Sequence, residues 1–363
     1  LLPKWLISPD RNKGYLISEY NGHMYPTKTF DTAVNRLDQA LRHATVLDVA
    51  YGREEVAGAF GWCMTDYYTH GDFGSGDRIC YHGVQDMFRN PKLASAVYAS
   101  AGDGAPVLAV GSEMDIGDYP AGSIGDNYIF TNADFVRVWR DDRLLGEFRP
   151  KGKRWKHLKH PPIPFNDTIG DAIEKGEGWS HRKAEALKDS LLAIQRFGVK
   201  IPAKYIIKTG LRAVRYLAGP GTFSRLYAKY FENWGTSAPV YRFQAVKDGK
   251  VVAEISKSSN ARLSLSADAS ATVLTEGETY DAAAVRVRIV DENGSTAPYA
   301  QLPVRFEVSG PLELIGPDTV CSDGGMCGAY VKTTGQPGTA VLRITAPQTQ
   351  SVELTFQVGK KEN

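Results

Sequence analysis

The segment GYLISEYNGHMYPTKTFD, residues 14–31, places a carboxylate at the end of a short apolar run. Glu19 follows Leu16 and Ile17 closely, and polar and aromatic side chains come directly after it. A carboxylate in this position can serve as a nucleophile or a general acid or base, although a charged residue at a strand end is more often only solvated. Trp62 ends a second apolar run, where an indole is more often core filling. Glu19 and Trp62 are therefore the first candidates for a site.

The first hundred residues alternate between strand and helix patterns. A strand ending at Glu19 precedes a helix whose apolar residues recur at helical spacing: Val34, Leu37, Leu41, Ala44 and Leu47. A second strand within AGAFGWCMTDY and a helix near NPKLASAVYAS follow. This order is typical of parallel α/β units, in which functional side chains lie where strands end. Two such strands cannot close a barrel, so we expect further strands to come from outside this sequence.

The remainder of the chain changes from strands to helices and back to strands. PVLAVGSEM, DNYIFTNA and FVRVWRDDRLLGEF alternate as in a β-sandwich, residues 168–234 read as helices, and PVYRFQAVKDGKVVAEISK resumes the strand pattern. One sandwich carrying a helical insertion is the simplest interpretation, because surface loops accept long insertions at little cost. From Arg262 onward, turns about every ten residues predict a second sandwich.

Composition narrows the protein class. The 363 residues are 42% apolar with a net charge of +2, which excludes a disordered chain and predicts a soluble protein of several domains. No apolar run is long enough to span a bilayer, and LLPKWLISPD lacks the features of a signal peptide. Because the first residue is Leu1, we expect the chain to be part of a longer protein. Four cysteines leave the redox compartment open, so both a cytoplasmic and a secreted location fit.

Three segments resemble a known enzyme family. ISEYNGHMYPTKTFD, ALRHATVLDVAYG and AGAFGWCMTDYYTHGDFGSGDRICYHGVQDMFRNPK resemble the C-terminal part of the catalytic barrel in glycoside hydrolase family 2, specifically in bacterial β-galactosidases. FTNADFVRVWRDDRLLGEF and YRFQAVKDGKVVAE resemble the sandwich that follows that barrel. The resemblance covers the chain except the helical insertion.

The resemblance implies a multidomain α/β plus all-β fold. The C-terminal part of a (β/α)8 barrel would be followed by two immunoglobulin-like β-sandwiches, the first with a helical insertion. The expected limits are 1–103 for the barrel part, 104–166 with 237–258 for the first sandwich, 167–236 for the basic helical insertion, and 261–359 for the terminal sandwich.

The resemblance also implies a retaining glycosidase in which Glu19 is the nucleophile. Such an enzyme needs a second carboxylic acid about 5 Å away as proton donor. In the family this acid follows an Asn in an NE pair on an earlier strand, and no such pair precedes Glu19. We therefore expect the general acid to lie upstream of this sequence and the chain alone to be inactive. No cofactor is expected.

Substrate-binding roles follow from the same resemblance. Trp62 would form the apolar wall against the sugar ring, and Tyr20, Asn21 and His23 would bind its hydroxyl groups. A loop histidine is more often a surface residue than a ligand, and this alternative stays open for His23. A polar loop at the rim of the site would contain Asp66, His70, Asp72 and Asp77. Asp72, Asp77 and His82 could be imagined around a metal ion, but their spacing matches no standard ligand pattern, so no metal is predicted.

Two further features allow two interpretations each. The segment 149–159 and the helices after it are rich in Lys and Arg, which could bind an anionic partner such as cell-wall polymer, lipid headgroups or nucleic acid. We favour a solvated helical face whose aliphatic stems lie over the sandwich, and we expect no nucleic-acid partner because aromatic residues are not interleaved for base stacking. Cys321 and Cys327 could form a disulfide across a Gly-rich turn or remain two thiols in a hairpin.

The predicted function is hydrolysis of terminal β-galactosides through a glycosyl-enzyme intermediate. The main alternative within the enzyme class is a β-glucuronidase or another β-glycosidase of the same fold. An alternative of another class is a non-catalytic carbohydrate-binding or scaffold module. The expected ligand is a β-galactoside or a related carbohydrate. The expected protein partner is the missing N-terminal part of the enzyme or another chain, and an oligomer is also compatible with the sequence.

Overall fold

The chain divides into two compact units. A computed structural model describes residues 12–21, 26–69, 78–114, 125–151, 154–198, 200–231, 239–259 and 262–360. One unit comprises residues 1–31, 54–95 and 260–363, and the other comprises 32–53 and 96–259. The candidate residues Glu19 and Trp62 both belong to the first unit.

A pair of parallel strands opens the first unit. Strand β1 (Tyr15–Tyr20) pairs with β2 (Val56–Gly61), and a helix, α1 (Ala33–Tyr51), lies between them in sequence. A short antiparallel ladder of β3 (Tyr67–Tyr68) and β4 (Ile79–Cys80) follows β2. The predicted strand, helix and strand order is therefore confirmed, whereas the membership of these strands in a barrel stays a prediction.

The terminal sandwich forms the rest of the first unit. One sheet has the order β12 (Ser264–Ala269), β14 (Ala282–Val290), β18 (Met326–Thr333) and β16 (Leu312–Ile315). The other has the order β13 (Val273–Glu276), β20 (Val352–Lys360), β19 (Gly338–Thr345), β15 (Pro303–Ser309) and β17 (Thr319–Cys321). Alternating apolar residues of both sheets meet in one core that includes Val285, Phe306, Leu342 and Phe356. This alternation is what the sequence predicts for strands with one buried face.

The second unit also contains a sandwich. Three short strands, β5 (Leu108–Val110), β6 (Tyr128–Thr131) and β9 (Ile163–Pro164), pair antiparallel in the order β5-β6-β9. The facing sheet has the order β11 (Lys250–Lys257), β10 (Tyr241–Lys247), β7 (Phe135–Arg140) and β8 (Arg143–Phe148). Ile129, Val138 and Phe243 are fully buried between the two sheets. The predicted strands are therefore present on both sides of the helical segment.

Between β9 and β10 the chain forms helices. They are α4 (Ala172–Glu177), α5 (His181–Phe197), α6 (Ala203–Tyr216) and α7 (Pro220–Tyr230). A further short helix, Ser95–Ala101, lies earlier in the chain, before β5. Leu187, Leu191 and Leu226 are completely buried in a core formed by α4, α5 and α7. Lys188 donates to the Asp167 carboxylate at 2.8 Å and so connects α5 to the segment after β9. Strand β10 pairs with β7, which means that strands before and after the helices share one sheet.

Helix α1 belongs to the second unit, and its cap and buried face can be traced to particular residues. The Thr32 hydroxyl accepts a hydrogen bond from the Asn35 N–H at 3.4 Å and caps the first turn. The predicted apolar positions Leu37, Leu41, Ala44 and Leu47 are buried. Val34, which has the same spacing, is 47% exposed. A position in the first turn can satisfy the helical spacing and still lie beyond the packed surface.

The four cysteines are all free thiols, including Cys321 and Cys327. Cys321 is exposed and Cys327 is buried within β18, which corresponds to the second of the two arrangements considered for this pair. In the described part of the chain, no helix is both long and apolar enough to cross a membrane.

Candidate active site

The register of β1 and β2 places two candidate residues at neighbouring strand ends. Ile17 lies beside Ala59 and Tyr20 beside Gly61, and the Trp62 N–H donates to the Tyr20 carbonyl oxygen at 2.8 Å. Glu19 therefore precedes the last residue of β1, and Trp62 directly follows the last residue of β2. In parallel α/β folds these carboxyl ends are where catalytic side chains are found.

The Glu19 side chain is exposed to solvent. Its neighbours along β1 alternate imperfectly, since both Ser18 and Glu19 are exposed while Ile17 and Tyr20 are half-buried. A register shift between Ile17 and Tyr20 interrupts the regular pairing at this point. At this irregular end of the strand the carboxylate is exposed to solvent rather than packed.

Asn21 has an unusual conformation for a residue with a side chain. Its φ is 58°, in the left-handed region that asparagine tolerates better than most residues. Its Nδ2 amide is buried and finds no acceptor among the described residues. A buried amide with unused donors is costly unless a ligand accepts from it. Tyr20 is half-buried beside Asn21, and His23 lies outside the described residues.

Trp62 presents an aromatic surface at the end of β2. Its side chain is 41% exposed, and its ring meets the Tyr67 ring edge-on with centroids 6.1 Å apart and an angle of 82° between the planes. The peptide bond between Trp62 and Cys63 is cis. Burial raises the pKa of the Tyr67 hydroxyl to about 12, so this phenol is neutral at ordinary pH. The indole is thus held by an edge contact while much of its surface remains open.

Asp66 is buried and structural, which corrects its expected place in the polar rim. Lys92 lies 2.7 Å from its carboxylate, and the Gly83 N–H donates to it at 2.9 Å. Lys92 also donates to the Thr27 carbonyl oxygen at 2.7 Å. Burial raises the pKa of the Asp66 carboxyl to about 6, while the Lys92 ammonium opposes this change. Burial likewise lowers the pKa of Lys92.

Of the other residues expected at the rim or around a metal ion, the structure describes only His82. His70, Asp72 and Asp77 lie outside the described residues. His82 is buried, and its Nδ1 lies 2.6 Å from the Cys80 sulfur. Within the described ranges, no three His, Cys, Asp or Glu side chains are grouped so that they could hold a metal ion.

The terminal sandwich contacts the segment that carries Lys92. The Tyr330 hydroxyl donates to the Met87 carbonyl oxygen at 2.8 Å, and the Asn90 amide donates to the Cys327 carbonyl oxygen at 2.9 Å. The Asp86 carboxylate accepts from the Asn90 amide at 2.8 Å. These contacts were not predicted from the sequence, although Asn90 and Lys92 both belong to the NPK motif. The local signal that could have indicated these contacts was a lysine next to a proline, within a motif of small and aromatic residues.

The comparisons with known proteins point to one family. A family model described as Glycoside hydrolase family 2 C-terminal domain 5 matches residues 263–355. A β-galactosidase of Thermoanaerobacter pseudethanolicus is 32% identical over 337 residues, which is 92% of this chain and 37% of that protein. A β-galactosidase of Thermoanaerobacterium thermosulfurigenes is 30% identical over 319 residues, which is 87% of this chain and 37% of that protein.

A structural relative extends the same likeness to the fold. A solved structure described as a β-glucuronidase from glycoside hydrolase family 2 matches with a TM-score of 0.54 at 15% identity, and the match covers 96% of this chain and 32% of that chain. At this level of identity the match concerns the fold alone. The chain spans just over a third of the length of these curated β-galactosidases. Most of the chain is therefore similar to part of two β-galactosidases, and residues 263–355 match a C-terminal domain of glycoside hydrolase family 2.

Proposed function

We propose that this chain supplies part of the active site of a retaining β-galactosidase and that Glu19 is its nucleophile. The observation that carries the proposal is the register that sets Glu19 and Trp62 at the carboxyl ends of two hydrogen-bonded parallel strands. The β-galactosidase relatives, which align over 87% and 92% of the chain, support the choice of reaction. The two strands would be the end of a (β/α)8 barrel whose other strands lie upstream.

The reaction explains why a carboxylate is needed at this position. A Glu19 oxygen attacks the anomeric carbon, the bond to the leaving oxygen breaks, and a second carboxylic acid gives that oxygen its proton. The product is a glycosyl ester of Glu19. The second residue then removes a proton from water, the water oxygen attacks the same carbon, and the ester bond breaks to regenerate Glu19. We place the second residue upstream of this sequence and expect the 363-residue chain alone to be inactive.

The remaining residues would bind the sugar. The open face of Trp62 matches the apolar C–H face of a pyranose. The Asn21 amide, which has no acceptor among the described residues, can donate to a sugar hydroxyl. Tyr20 and His23 are proposed to complete these contacts. The helices between β9 and β10 would be an insertion into the first sandwich, and 1–103, 104–166 with 237–258, 167–236 and 261–359 are the proposed domain limits.

Covalent trapping tests the proposal. A full-length enzyme containing this sequence would be treated with a galactosyl fluoride in which fluorine replaces the ring hydroxyl next to the anomeric carbon. Attack by Glu19 releases fluoride, and the electron-withdrawing fluorine slows hydrolysis of the ester. We expect mass spectrometry to find one galactosyl adduct on the peptide that contains Glu19. An adduct on another carboxylate would overturn the assignment.

The same experiment separates the alternatives. A structural relative is described as a β-glucuronidase, so the corresponding glucuronosyl fluoride should be tested in parallel. Faster labelling by the glucuronosyl reagent would support that activity instead. Absence of an adduct with both reagents, together with measurable binding of galactose, would favour a non-catalytic carbohydrate-binding module.

A further inference from the structure

Helix α6 exposes a continuous apolar face. None of its residues is buried, and the exposed large apolar side chains on it and directly after it are Ile206 (59%), Ile207 (64%), Leu211 (69%), Val214 (77%) and Leu217 (93%). At 3.6 residues per turn these five positions fall within roughly 140° of the helix circumference. They therefore form one apolar stripe, which we call the α6 face.

The α6 face does not hold the helix in place. The helical core draws its buried side chains from other elements, among them Leu187 and Leu226. The opposite side of α6 makes the attachments: Arg212 donates to the Asp189 carboxylate at 2.6 Å, and the Tyr205 and Phe197 rings lie 5.0 Å apart. The helix is thus anchored through its polar and aromatic side, and its apolar side is left for another contact.

A row of cations borders the α6 face. Residues 190–231 contain eight Lys or Arg and no Asp or Glu. Lys204, Lys208 and Arg215 are exposed, and their positions lie next to one another along one edge of the stripe. Lys208 is 3.7 Å from the Asp189 carboxylate, which is the nearest acid before this segment in the sequence. The face therefore combines apolar side chains with a positive border.

An anionic lipid surface matches both parts of this pattern. Apolar side chains of a helix lying in the plane of a bilayer enter the boundary of the acyl chains, while Lys and Arg reach the headgroup phosphates. A second copy of the chain would bring two positive borders together, which is unfavourable. We propose that α6 docks this protein on an anionic lipid surface, with Ile207, Leu211 and Val214 inserted and Lys204, Lys208 and Arg215 at the headgroups.

Vesicle binding tests the proposal with the 363-residue chain. Vesicles of phosphatidylcholine alone and of phosphatidylcholine mixed with phosphatidylglycerol would be sedimented with the protein. We expect binding to the anionic vesicles only, and weaker binding as salt rises, because salt screens the cations. The Leu211→Glu/Val214→Glu variant should lose binding. The Lys204→Gln/Lys208→Gln/Arg215→Gln variant should bind about a hundredfold more weakly.

A matched control tests whether exposed apolar residues elsewhere in the chain cause vesicle binding. Leu16 and Phe60, on β1 and β2, are also exposed (53% and 61%), and Leu16→Glu/Phe60→Glu should bind vesicles like the parent. Circular dichroism would establish that each variant keeps its helices. Equal binding by the parent and the Leu211→Glu/Val214→Glu variant would overturn the proposal.

Two other outcomes would also overturn it and would identify another occupant. Dimers that Leu211→Glu/Val214→Glu converts to monomers, without vesicle binding, would assign the α6 face to a second copy. Binding by the 363-residue chain but not by a full-length enzyme would show that another part of that enzyme covers the face. Neither result depends on glycosidase activity, so the proposed function is tested separately.

Discussion

Lys92 and Asp66 form a buried ion pair, and Asp66 lies shortly after Trp62 in the sequence. The ammonium lies 2.7 Å from the carboxylate, and the two side chains are only 4% and 3% exposed. Lys92 also binds the Thr27 carbonyl oxygen, so one cation joins the segment before α1 to the segment after β2. The pair therefore ties together two segments that are distant in sequence.

Replacing Lys92 by methionine should destabilise the fold strongly. Lys92→Met leaves the Asp66 carboxylate buried without its cation, which typically costs about 3–5 kcal/mol. Urea unfolding of the 363-residue chain, followed by tryptophan fluorescence, would measure the change. Arg42→Met is the control, because Arg42 pairs with Asp38 at the surface and such pairs contribute about 0–1 kcal/mol. Similar small losses for both variants would contradict the buried pair.

The packing between β18 and the segment before Asn90 gives a second stability prediction. A Cβ atom added at Gly328 would lie 2.3 Å from the Val285 carbonyl oxygen and 2.6 Å from the Phe88 Cβ. Gly328→Ala must therefore displace backbone or a packed ring, and we expect a loss of about 1–3 kcal/mol in thermal or urea unfolding. Gly277→Ala, where an added Cβ meets nothing within 4 Å, should change stability little.

His43 predicts how stability changes with pH. It is buried, its Nδ1 lies 2.7 Å from the Tyr98 hydroxyl, and burial lowers its pKa to about 4 from 6.5. The folded chain binds this proton less tightly than the unfolded chain, so stability is lost as pH falls from 6.5 towards 4. The loss is about 3 kcal/mol. Unfolding free energies near neutral pH and near pH 4 would measure it.

His43→Leu is the comparison that isolates this effect. The variant should lose less stability than the parent over the same pH interval, even if its starting stability differs. Asp66 contributes with the opposite sign, since its raised pKa of about 6 means that the folded chain binds its proton more tightly. Only the difference between parent and variant therefore reports His43. An identical pH dependence in the two proteins would show that His43 is not buried in its neutral form.

Local patterns predicted the elements well because each element is encoded within a short window. Apolar spacing identified α1, and the regular turns after Arg262 indicated the terminal sandwich that contains β14 and β18. Glu19 and Trp62 were found at strand ends for the same reason. Their proximity also required the parallel pairing, which the alternating order of strand and helix indicated.

Partners that are distant in sequence could not be predicted in this way. Asp66 looked like one of several polar loop residues because its partner, Lys92, is 26 positions away and neither residue has a distinctive local pattern. The apolar spacing of α6 shows that the helix has an apolar face but not what covers it. Burial of a charge and exposure of an apolar stripe are both properties of the tertiary contacts, which a single sequence records only indirectly.

Trp62→Ala should weaken the proposed enzyme without weakening its fold. The indole is 41% exposed and has an edge contact with Tyr67, so its loss should change the unfolding free energy little. Loss of an apolar wall of this size should reduce kcat/KM about thirtyfold, which corresponds to about 2 kcal/mol of binding. Kinetics of a full-length enzyme on an aryl β-galactoside would measure this, with Trp62→Phe retaining most of the activity. Unchanged kcat/KM in the alanine variant would remove Trp62 from the sugar site.

Glu19→Gln should abolish turnover and leave the fold intact. The amide has the shape of the carboxylate, and the exposed side chain carries no packing, so the urea unfolding curve should not change. The amide cannot form the glycosyl ester, so hydrolysis of an aryl β-galactoside by the full-length variant should fall to the detection limit. Glu54→Gln, at an exposed glutamate before β2, is the matched control and should keep parental activity. A Glu19→Gln enzyme that hydrolyses the substrate at a near-parental rate would exclude Glu19 as the nucleophile, and the search would then turn to carboxylates upstream of this sequence.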